Sequence, residues 1–378
     1  MAHQTSVRAS AVLLVVAGTL LIDSLVVALL GVALPSIGAE FGGNVAAQWA
    51  LTAFPAGFAA ALLGGGPVAR RWGRRRAYLA ALSGFAAAAT AAALAPALWA
   101  LVAATFVMGV CAGITAPAGG AVIGATFEAG PAQRRAARVY ATFGTAGATL
   151  GLVLSGVLAE WSWRLAVLAP APAAVVLLGM GLRCLPDTPV PPARPVPLPS
   201  ALVRAALGAA SLNGASVALV VVANFLLQQQ FGWAPWQSAL LCVPAFVTLA
   251  LSVVLAERFG TTRPIRAGAV LAVAGCALPA LSPTPVALLG ATVLLGAAYL
   301  LSFAPLNVAA TASVAPPDRP AAGLAVQLLV QLGAVATVPL ATALLLAGPH
   351  PAVLFTTAVA VVGLGASLST PNHAEEQR

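Results

Sequence analysis

One acidic residue, Asp23, lies well inside a long apolar segment. A carboxyl group there costs about 2.5–3.5 kcal/mol on membrane-insertion scales, so it should face a protein interior or a cavity. Burial disfavours the charged form of this carboxyl group. The group can therefore gain and lose a proton closer to neutral pH than an exposed Asp. We expect Asp23 to bind a proton or to recognise a cation. The alternative is a neutral Asp that is hydrogen-bonded to a neighbouring helix.

The remaining titratable residues offer no comparable chemistry. The other eight acids fall in loops, tails or helix ends, and the three histidines lie outside the apolar segments: Glu40, Glu128, Glu160, Asp187, Glu257, Asp318, Glu375, Glu376, His3, His350 and His373. The four cysteines, Cys111, Cys184, Cys242 and Cys276, lack metal-ligand spacing. No Gly-Lys-Ser or Gly-Lys-Thr phosphate loop is present. We expect no metal, no cofactor and no enzymatic activity.

The composition places these residues in a membrane. Hydrophobic residues make up 61% of the chain, charged residues 7%, and the mean hydropathy is +0.99. Runs rich in Ala, Leu, Val and Gly without a period of two favour helices over a barrel. We predict an all-α integral membrane protein with twelve transmembrane helices, near 11–34, 48–68, 77–95, 99–124, 139–159, 164–184, 205–228, 237–256, 267–282, 286–310, 322–347 and 351–369.

The arginines predict the orientation of the helices. They fall in alternate gaps between the predicted spans, and only Arg164 breaks the pattern. Because positively charged short loops stay on the cytoplasmic side, we expect both termini there. The net charge of +9 is then a signal of topology, and we expect no nucleic-acid partner.

A repeated pattern indicates that the chain is duplicated. Ala-Arg-Arg-Trp-Gly at 69–73 is echoed by Ala-Glu-Arg-Phe-Gly at 256–260, about half the chain length later, and Ala116-Pro117 is echoed by Ala304-Pro305. A proline-rich segment lies between the copies. We predict two pseudo-symmetric six-helix bundles, 1–184 and 205–378, joined by a non-helical cytoplasmic linker at 185–204.

Four stretches resemble the major facilitator superfamily and, within it, the drug:proton antiporters. Gly66 to Arg75 is similar to the signature loop between the second and third helices. Gly147, Gly151, Ser155 and Gly156 resemble the antiporter motif of the fifth. Trp163-Arg164 with Pro172, and Gln228 to Gly232 with Pro235, Gln237 and Pro244, resemble stretches of the multidrug branch. Members of that branch usually have fourteen spans, and we expect this chain to lack the middle pair.

The chain departs from the family at several positions. Arg70 stands where the signature loop has an acid, whereas the second copy keeps one at Glu257. We therefore expect the gating latch to be carried mainly by Glu257, Arg258 and Gly260, with Gly66, Arg70, Arg71, Gly73 and Arg74 as its first copy; the alternative is a solvated cationic loop. Thr105 and Met108 replace the usual fourth-helix Arg and Gln, and Leu152 replaces a Pro.

The resemblance implies a secondary carrier of the bacterial inner membrane that works by alternating access. Asp23 matches the first-helix acid, one turn farther from Pro35 than usual. A cavity between spans one, four, seven and ten implies solute contacts at Asn213, Asn224, Phe225, Tyr299, Phe303 and Asn307. We expect a monomer that exports lipophilic drugs or secondary metabolites in exchange for protons. A gradient-independent facilitator or uptake carrier, and a non-transporting receptor on the carrier fold, remain alternatives.

Overall fold

The computed structural model describes residues 2–190, 198–244, 262–315 and 318–368, and it is helical throughout these ranges apart from short connections. We number the helices in chain order: α1 Ala2–Phe41, α2 Asn44–Trp72, α3 Arg74–Ala93, α4 Leu98–Thr126, α5 Pro131–Leu158, α6 Trp163–Cys184, α7 Ser200–Gln230, α8 with its described part at 235–244, α9 Thr262–Leu281, α10 Pro285–Ala312, α11 Arg319–Ala347 and α12 Pro349–Leu368.

Ten of the helices in the described ranges are long and apolar enough to cross a membrane. The other two are α3, which begins with three arginines, and α8, whose described part stops at 244. An all-α membrane protein is therefore confirmed, and the helices agree with the predicted count of twelve.

The helices extend beyond the predicted spans. Helix α1 has 40 residues, so it is roughly 60 Å long, about twice the thickness of the hydrocarbon core. Hydropathy detects only the part within hydrocarbon, because polar residues continue the helix outside it. Helix α7 begins at Ser200, directly after Pro199, rather than near Arg204, where the predicted linker ends.

The chain divides into two compact units, one formed by residues 1–41 and 49–193 and the other by 42–48 and 194–378. Helix packing follows the same plan in both. In the first unit, α1 packs against α4, α5 and α6, and α3 packs against α4 and α6. In the second unit, α7 packs against α10, α11 and α12, and α9 packs against α10 and α12. Each unit thus repeats one arrangement of helices.

Exposed tryptophans mark the ends of several helices. Trp49 and Trp99 lie at the beginnings of α2 and α4, Trp161 lies between α5 and α6, and Trp72 lies at the end of α2. Trp side chains are enriched where the hydrocarbon meets the lipid headgroups, since the ring is apolar and its N–H is polar. Their positions are those expected at the two faces of a bilayer.

Candidate functional site

Asp23 is held inside the first unit by a side chain of α4. Its side chain is buried, with 4% exposure, and the hydroxyl of Thr115 donates a hydrogen bond of 2.9 Å to Asp23 Oδ2. Thr115 is itself 2% exposed. Asp23 is the one buried acid among the described residues. An Asp with a purely structural role would also make an interhelical hydrogen bond of this kind. The contact nevertheless leaves the carboxyl group able to bind a proton.

The Thr115 hydroxyl has two acceptors for its single proton. Asp23 Oδ2 lies at 2.9 Å, and the backbone carbonyl of Ala112 lies at 3.2 Å. A charged carboxylate accepts only, whereas a protonated carboxyl group can also donate. Thr115 can therefore donate to Asp23 when the carboxylate is charged, and it can turn to Ala112 and accept from Asp23 when the carboxyl group is neutral.

The antiporter-like motif of α5 contacts the part of α1 that carries Asp23. A Cβ at Gly147 would lie 2.2 Å from the Leu21 carbonyl oxygen, and one at Gly151 would lie 2.5 Å from that of Leu25. One turn farther, the Ser155 hydroxyl donates a 2.8 Å hydrogen bond to the Leu29 carbonyl. Gly156 is buried beside them. The two helices stay in register for two turns, because small residues allow their backbones to touch.

The second unit has a polar pair in the corresponding helices. The Tyr299 hydroxyl of α10 donates a 3.0 Å hydrogen bond to Asn213 Oδ1 of α7, as Thr115 of α4 does to Asp23 of α1. Asn213 Nδ2 also donates to the Val330 carbonyl of α11 at 3.2 Å. Asn213 is therefore bonded to two helices of its unit.

Tyr299 begins a π-helical turn, Tyr299–Phe303, that precedes Pro305. Proline lacks the N–H that would pair with the carbonyl four residues earlier, and wide turns of this kind occur often at functional sites. The turn also places Phe303 beside Tyr299, with ring centroids 5.0 Å apart. The structure thus brings three of the predicted cavity residues together, namely Asn213, Tyr299 and Phe303.

Of the other predicted cavity residues, Asn224 and Phe225 lie near the end of α7, and Asn307 lies one turn after Phe303. Asn224 is fully buried and donates to the Val220 carbonyl of its own helix, with Cys242 Sγ at 3.7 Å. Phe225 is buried next to it. Asn307 donates to the Phe303 carbonyl at 2.8 Å. A role in solute binding stays a prediction for each of them.

The arginine loop, Arg70 to Arg76, connects α2 with α3 and contacts the end of α6. Gly73 has a φ of +83°, a conformation that suits glycine, and it separates α2 from α3. Arg75 donates to the carbonyls of Leu182 and Leu185 at 2.7 and 2.9 Å, and Arg74 donates to the Thr188 hydroxyl at 3.0 Å. These bonds satisfy carbonyls at a helix C-terminus, where cations are favourable.

The remaining members of the predicted latch are exposed or undescribed. Arg70 and Arg71 are exposed, and Gly66 leaves room for the Arg70 guanidinium, which would lie 3.2 Å from a Cβ there. Glu257, Arg258 and Gly260 lie outside the described residues. The latch therefore stays a prediction.

Arg164 has a partner that explains its exceptional place in the sequence. It forms an ion pair with Glu40 at the end of α1 and donates to the carbonyls of Ala93 and Ala95 at 2.9 and 2.8 Å. Trp163 donates to the same carboxylate at 2.6 Å, and the guanidinium lies 4.5 Å from the Trp163 ring centroid. The cluster ties α1, α3 and α6 together, opposite the arginine loop.

An open cavity of about 590 Å³, a surface groove rather than an enclosed pocket, lies against the beginning of α5, where Arg135 and Arg138 are exposed. Its lining residues are Pro131, Arg135, Arg138, Val139, Thr142 and Phe143, which combine two guanidinium groups with apolar surface. No cluster of three or more His, Cys, Asp or Glu in the described ranges could hold a metal ion.

The family follows from comparison with known proteins. The family model described as Major Facilitator Superfamily matches residues 16–255, which is more than half of the chain. The chain belongs to the major facilitator superfamily. The matched region contains Asp23, Thr115 and the glycines of α5. A membrane protein with many helices agrees with this family, and so does the prediction that the chain is not an enzyme.

Relatives of this superfamily member are resistance and export proteins. It is 33% identical to the puromycin resistance protein of Streptomyces alboniger over 41% of this chain and 31% of that protein. It is 29% identical to the cephamycin export protein of Amycolatopsis lactamdurans over 61% and 46%, and 31% identical to a multidrug efflux pump of Mycolicibacterium smegmatis over 49% and 37%. The matches span less than half of each relative. They confirm the resemblance to the drug-exporting branch.

Solved structures support the fold of this superfamily member. A bacterial homologue of the lysosomal transporter Spinster aligns with a TM-score of 0.75 at 19% identity, covering 96% of this chain and 95% of that one. The human organic anion transporter TETRAN aligns with a TM-score of 0.72 at 18% identity, covering 95% and 99%. At these identities the likeness shows the fold alone.

Several residues of the site were not anticipated from the sequence. Thr115 contacts Asp23, whereas Thr105 is buried and donates to the Leu101 and Val102 carbonyls of its own helix, α4. The Tyr140 hydroxyl of α5 donates a 2.8 Å hydrogen bond to the Ala116 carbonyl, next to Thr115. Thr115 directly precedes the repeated Ala116-Pro117 pair. A sequence does not show which group accepts the proton of a Thr hydroxyl, so the contact with Asp23 was not predicted.

Proposed function

We propose that the chain is a secondary carrier that exports lipophilic or amphipathic compounds in exchange for protons, with Asp23 as the proton-binding group. Exchange driven by a proton gradient requires such a group to gain a proton on one side of the membrane and release it on the other. The observation that carries the proposal is the burial of Asp23 against Thr115, on the segment of α1 that the α5 motif contacts.

Thr115 supplies the means for the carboxyl group to be stable in both states. A charged carboxylate in a buried environment needs a donor, and the Thr115 hydroxyl provides one. After protonation, the same hydroxyl turns to the Ala112 carbonyl and accepts the new proton's hydrogen bond. The pair changes its hydrogen bond with each proton, so the protonation state alters the contact between α1 and α4.

The packing of α5 against α1 couples this local change to the rest of the first unit. The backbones of α1 and α5 touch at Gly147 and Gly151, and the hydrogen bond from Ser155 to the Leu29 carbonyl fixes their register. A shift of α1 at Asp23 is therefore passed to α5. Gly333 makes the matching contact in the second unit, where its Cβ would lie 2.4 Å from the Ala210 carbonyl oxygen of α7.

The substrate class is proposed from relatives and from two surfaces. The relatives are named for puromycin resistance, cephamycin export and multidrug efflux, which favours export of drug-like molecules. Asn213, Tyr299 and Phe303 offer hydrogen bonds and aromatic surface in the second unit. The cavity at α5 pairs Arg135 and Arg138 with Phe143, which suits an apolar compound bearing a negative charge.

The distribution of basic residues at the two ends of the first unit predicts how the carrier is oriented in the membrane. The arginine loop and the basic start of α5 lie at one end of the first unit and Arg164 at the other, where Glu40 neutralises it. Excess positive charge at the first end favours the cytoplasmic side for it and for both termini. The carrier acts in a bacterial plasma membrane as a monomer.

A gradient-independent facilitator is the second candidate. Thr105 occupies the position of the family's fourth-helix Arg, and Asp23 makes the hydrogen bond that a purely structural Asp would make. A facilitator would need no proton at Asp23, so the two candidates differ in their response to a pH gradient.

Drug accumulation in an efflux-deficient bacterium separates the candidates. Energised cells expressing the chain should accumulate less of a lipophilic dye such as ethidium, and Asp23→Asn or a proton-gradient collapser should each remove the difference. Asp187→Asn, which changes an exposed acid, is the matched control. Reduced accumulation that survives both the collapser and Asp23→Asn would exclude proton-driven export.

A further inference from the structure

Two hydrogen bonds fix the orientation of the Asn213 amide in the second unit. Its Nδ2 donates to the Val330 carbonyl of α11 at 3.2 Å, and a carbonyl oxygen can only accept. Its Oδ1 therefore faces α10, where the Tyr299 hydroxyl donates to it at 3.0 Å. The side chain joins α7, α10 and α11 through one donor and one acceptor.

Close backbone contacts lie on both sides of Asn213 along α7. Three residues before it, the Ala210 carbonyl oxygen would lie 2.4 Å from a Cβ at Gly333 of α11. At the next residue, a Cβ at Gly214 would lie 2.8 Å from the Gly333 carbonyl oxygen. Helices α7 and α11 are therefore in direct backbone contact where Asn213 bonds to Val330.

Asp23 has corresponding surroundings in the first unit. It lies on α1 between Leu21 and Leu25, whose carbonyl oxygens contact glycines of α5. In both units a hydroxyl from the fourth helix donates to the side-chain oxygen, at 2.9 Å to Asp23 and at 3.0 Å to Asn213. The two residues are therefore counterparts. They differ in that a carboxyl group can change its charge, whereas an amide cannot.

The Asn213 amide makes the two bonds that a protonated carboxyl group would make in its place. A protonated acid has one oxygen that accepts and one O–H that donates, whereas a charged carboxylate only accepts. A charged carboxylate here would face the Val330 carbonyl oxygen with no proton between them. Asn213 therefore has the hydrogen bonds of a protonated acid at every pH.

The described parts of the helices that pack on α7 carry few titratable residues. Tyr299 of α10 and Cys276 of α9 belong to one apolar cluster near Asn213, and both side-chain types are neutral near pH 7. The titratable residues near the beginnings of α7, α9, α11 and α12 are Arg204, Arg263, Arg266, Arg319 and His350. The two bonds of Asn213 therefore involve no group that changes its charge near neutral pH.

We propose that Asn213 fixes the junction of α7, α10 and α11 in the arrangement that a bound proton would give, so that proton binding is confined to the first unit. Asn213 is a positioning residue, since it holds the three helices together while Asp23 gains and loses its proton. The confinement of proton binding rests on the proposed role of Asp23, whereas the fixed junction does not.

Thermal unfolding of purified Asn213→Asp tests the junction without transport. At about pH 4 the new acid can keep its proton and make both bonds, so the variant should melt close to the wild-type temperature. The folded protein binds this proton more tightly than the unfolded chain does, so stability should fall as the pH rises. At about pH 7 the variant should melt about 5 °C below the wild type. A difference that is the same at both pH values would overturn the junction.

Asn307→Asp is the matched control for this measurement. The Asn307 amide donates to the Phe303 carbonyl of its own helix, so the substitution changes the same atoms without affecting a junction between helices. Its melting temperature should depend on pH less than half as strongly. An equal dependence in both variants would show a general cost of an added acid and would contradict the fixed junction.

Ethidium exchange in proteoliposomes with equal pH on both sides tests the junction during transport. Relative to the wild type at the same pH, Asn213→Asp should be unchanged at about pH 5 and about tenfold slower at about pH 8. Asn213→Leu, which can make neither bond, should be slowed by the same factor at both pH values. Equal slowing of Asn213→Asp at the two pH values would contradict the proposal.

Proton counterflow measured with a pH-sensitive dye tests the confinement of proton binding. Asn213→Leu should move fewer protons and less ethidium, but at the wild-type ratio, and a lower ratio would show that Asn213 takes part in proton movement. If Asp23→Asn keeps the wild-type counterflow, the proposed function fails, and the confinement fails with it. If Asp23→Asn abolishes counterflow and Asn213→Asp melts without pH dependence, only the fixed junction fails.

Discussion

The hydroxyl oxygen of Thr115 lies 2.9 Å from a carboxylate oxygen of Asp23, across the interface between α1 and α4, and both side chains are buried. Thr115→Val keeps the shape of the side chain and removes the donor. Loss of a hydrogen bond to a charged group costs roughly 1.5–3 kcal/mol, which corresponds to about 1–2 pH units. The donor stabilises the charged form, so its loss should move the pH midpoint of transport to higher pH.

Thr115→Ser is the matched control, because it restores the hydroxyl without the methyl group. Transport rates measured from pH 5 to about pH 9 should give the wild-type midpoint for this variant. A Thr115→Val midpoint equal to that of the wild type would show that the Asp23 contact does not set the pH dependence.

The glycines of α5 and α11 should be intolerant of a methyl group. A Cβ at Gly147 would lie 2.2 Å from the Leu21 carbonyl oxygen, and one at Gly333 would lie 2.4 Å from that of Ala210. We expect each Gly→Ala variant to lose about 1–3 kcal/mol and to melt at a lower temperature, because two helix backbones must separate. Gly179 has open space around it, so Gly179→Ala should melt no lower than wild type.

The cluster around Arg164 should depend more on the arginine than on its ion pair. Arg164→Met leaves the Ala93 and Ala95 carbonyls without their donor, at a cost of about 1–3 kcal/mol. Glu40→Gln removes a partly exposed ion pair and keeps those bonds, so it should cost about 1 kcal/mol or less. Thermal unfolding of both variants checks this order, and equal losses would contradict it.

The cavity at α5 should discriminate substrates by charge. Arg135→Gln removes a cation from its lining and should raise the half-saturating concentration of an anionic fluorescein derivative by about threefold at low salt. Ethidium, a cation, should be unaffected or bound more tightly. Arg134 is exposed but does not line the cavity, so Arg134→Gln is the control. Identical shifts in both variants would indicate a general charge effect.

Composition and short motifs were sufficient to predict the helices and the family. Hydropathy located the spans, and the contact of Gly147 and Gly151 with α1 is what small residues at that spacing favour. The ends of α1 and α7 differed from prediction because helices continue into the polar region, where hydropathy carries no signal.

Side-chain contacts between residues that lie far apart in the chain could not be predicted from the sequence. Thr115 reaches Asp23 only through the packing of α4 on α1, and a hydroxyl in a helix most often bonds to its own backbone. Arg164 was visible as an exception to the arginine pattern, but Glu40, its partner, stood 124 residues earlier. An arginine that lies outside the pattern of alternate gaps indicates a charge that is paired with an acid.

Proton movement coupled to solute movement in proteoliposomes tests the central claim most directly. A pH-sensitive dye inside the vesicles should report proton counterflow when ethidium is driven across the membrane by wild-type protein. Asp23→Asn should abolish this proton signal, whereas Asp187→Asn should preserve it. Proton counterflow that persists in Asp23→Asn at the wild-type ratio of protons to ethidium would contradict the assignment of Asp23.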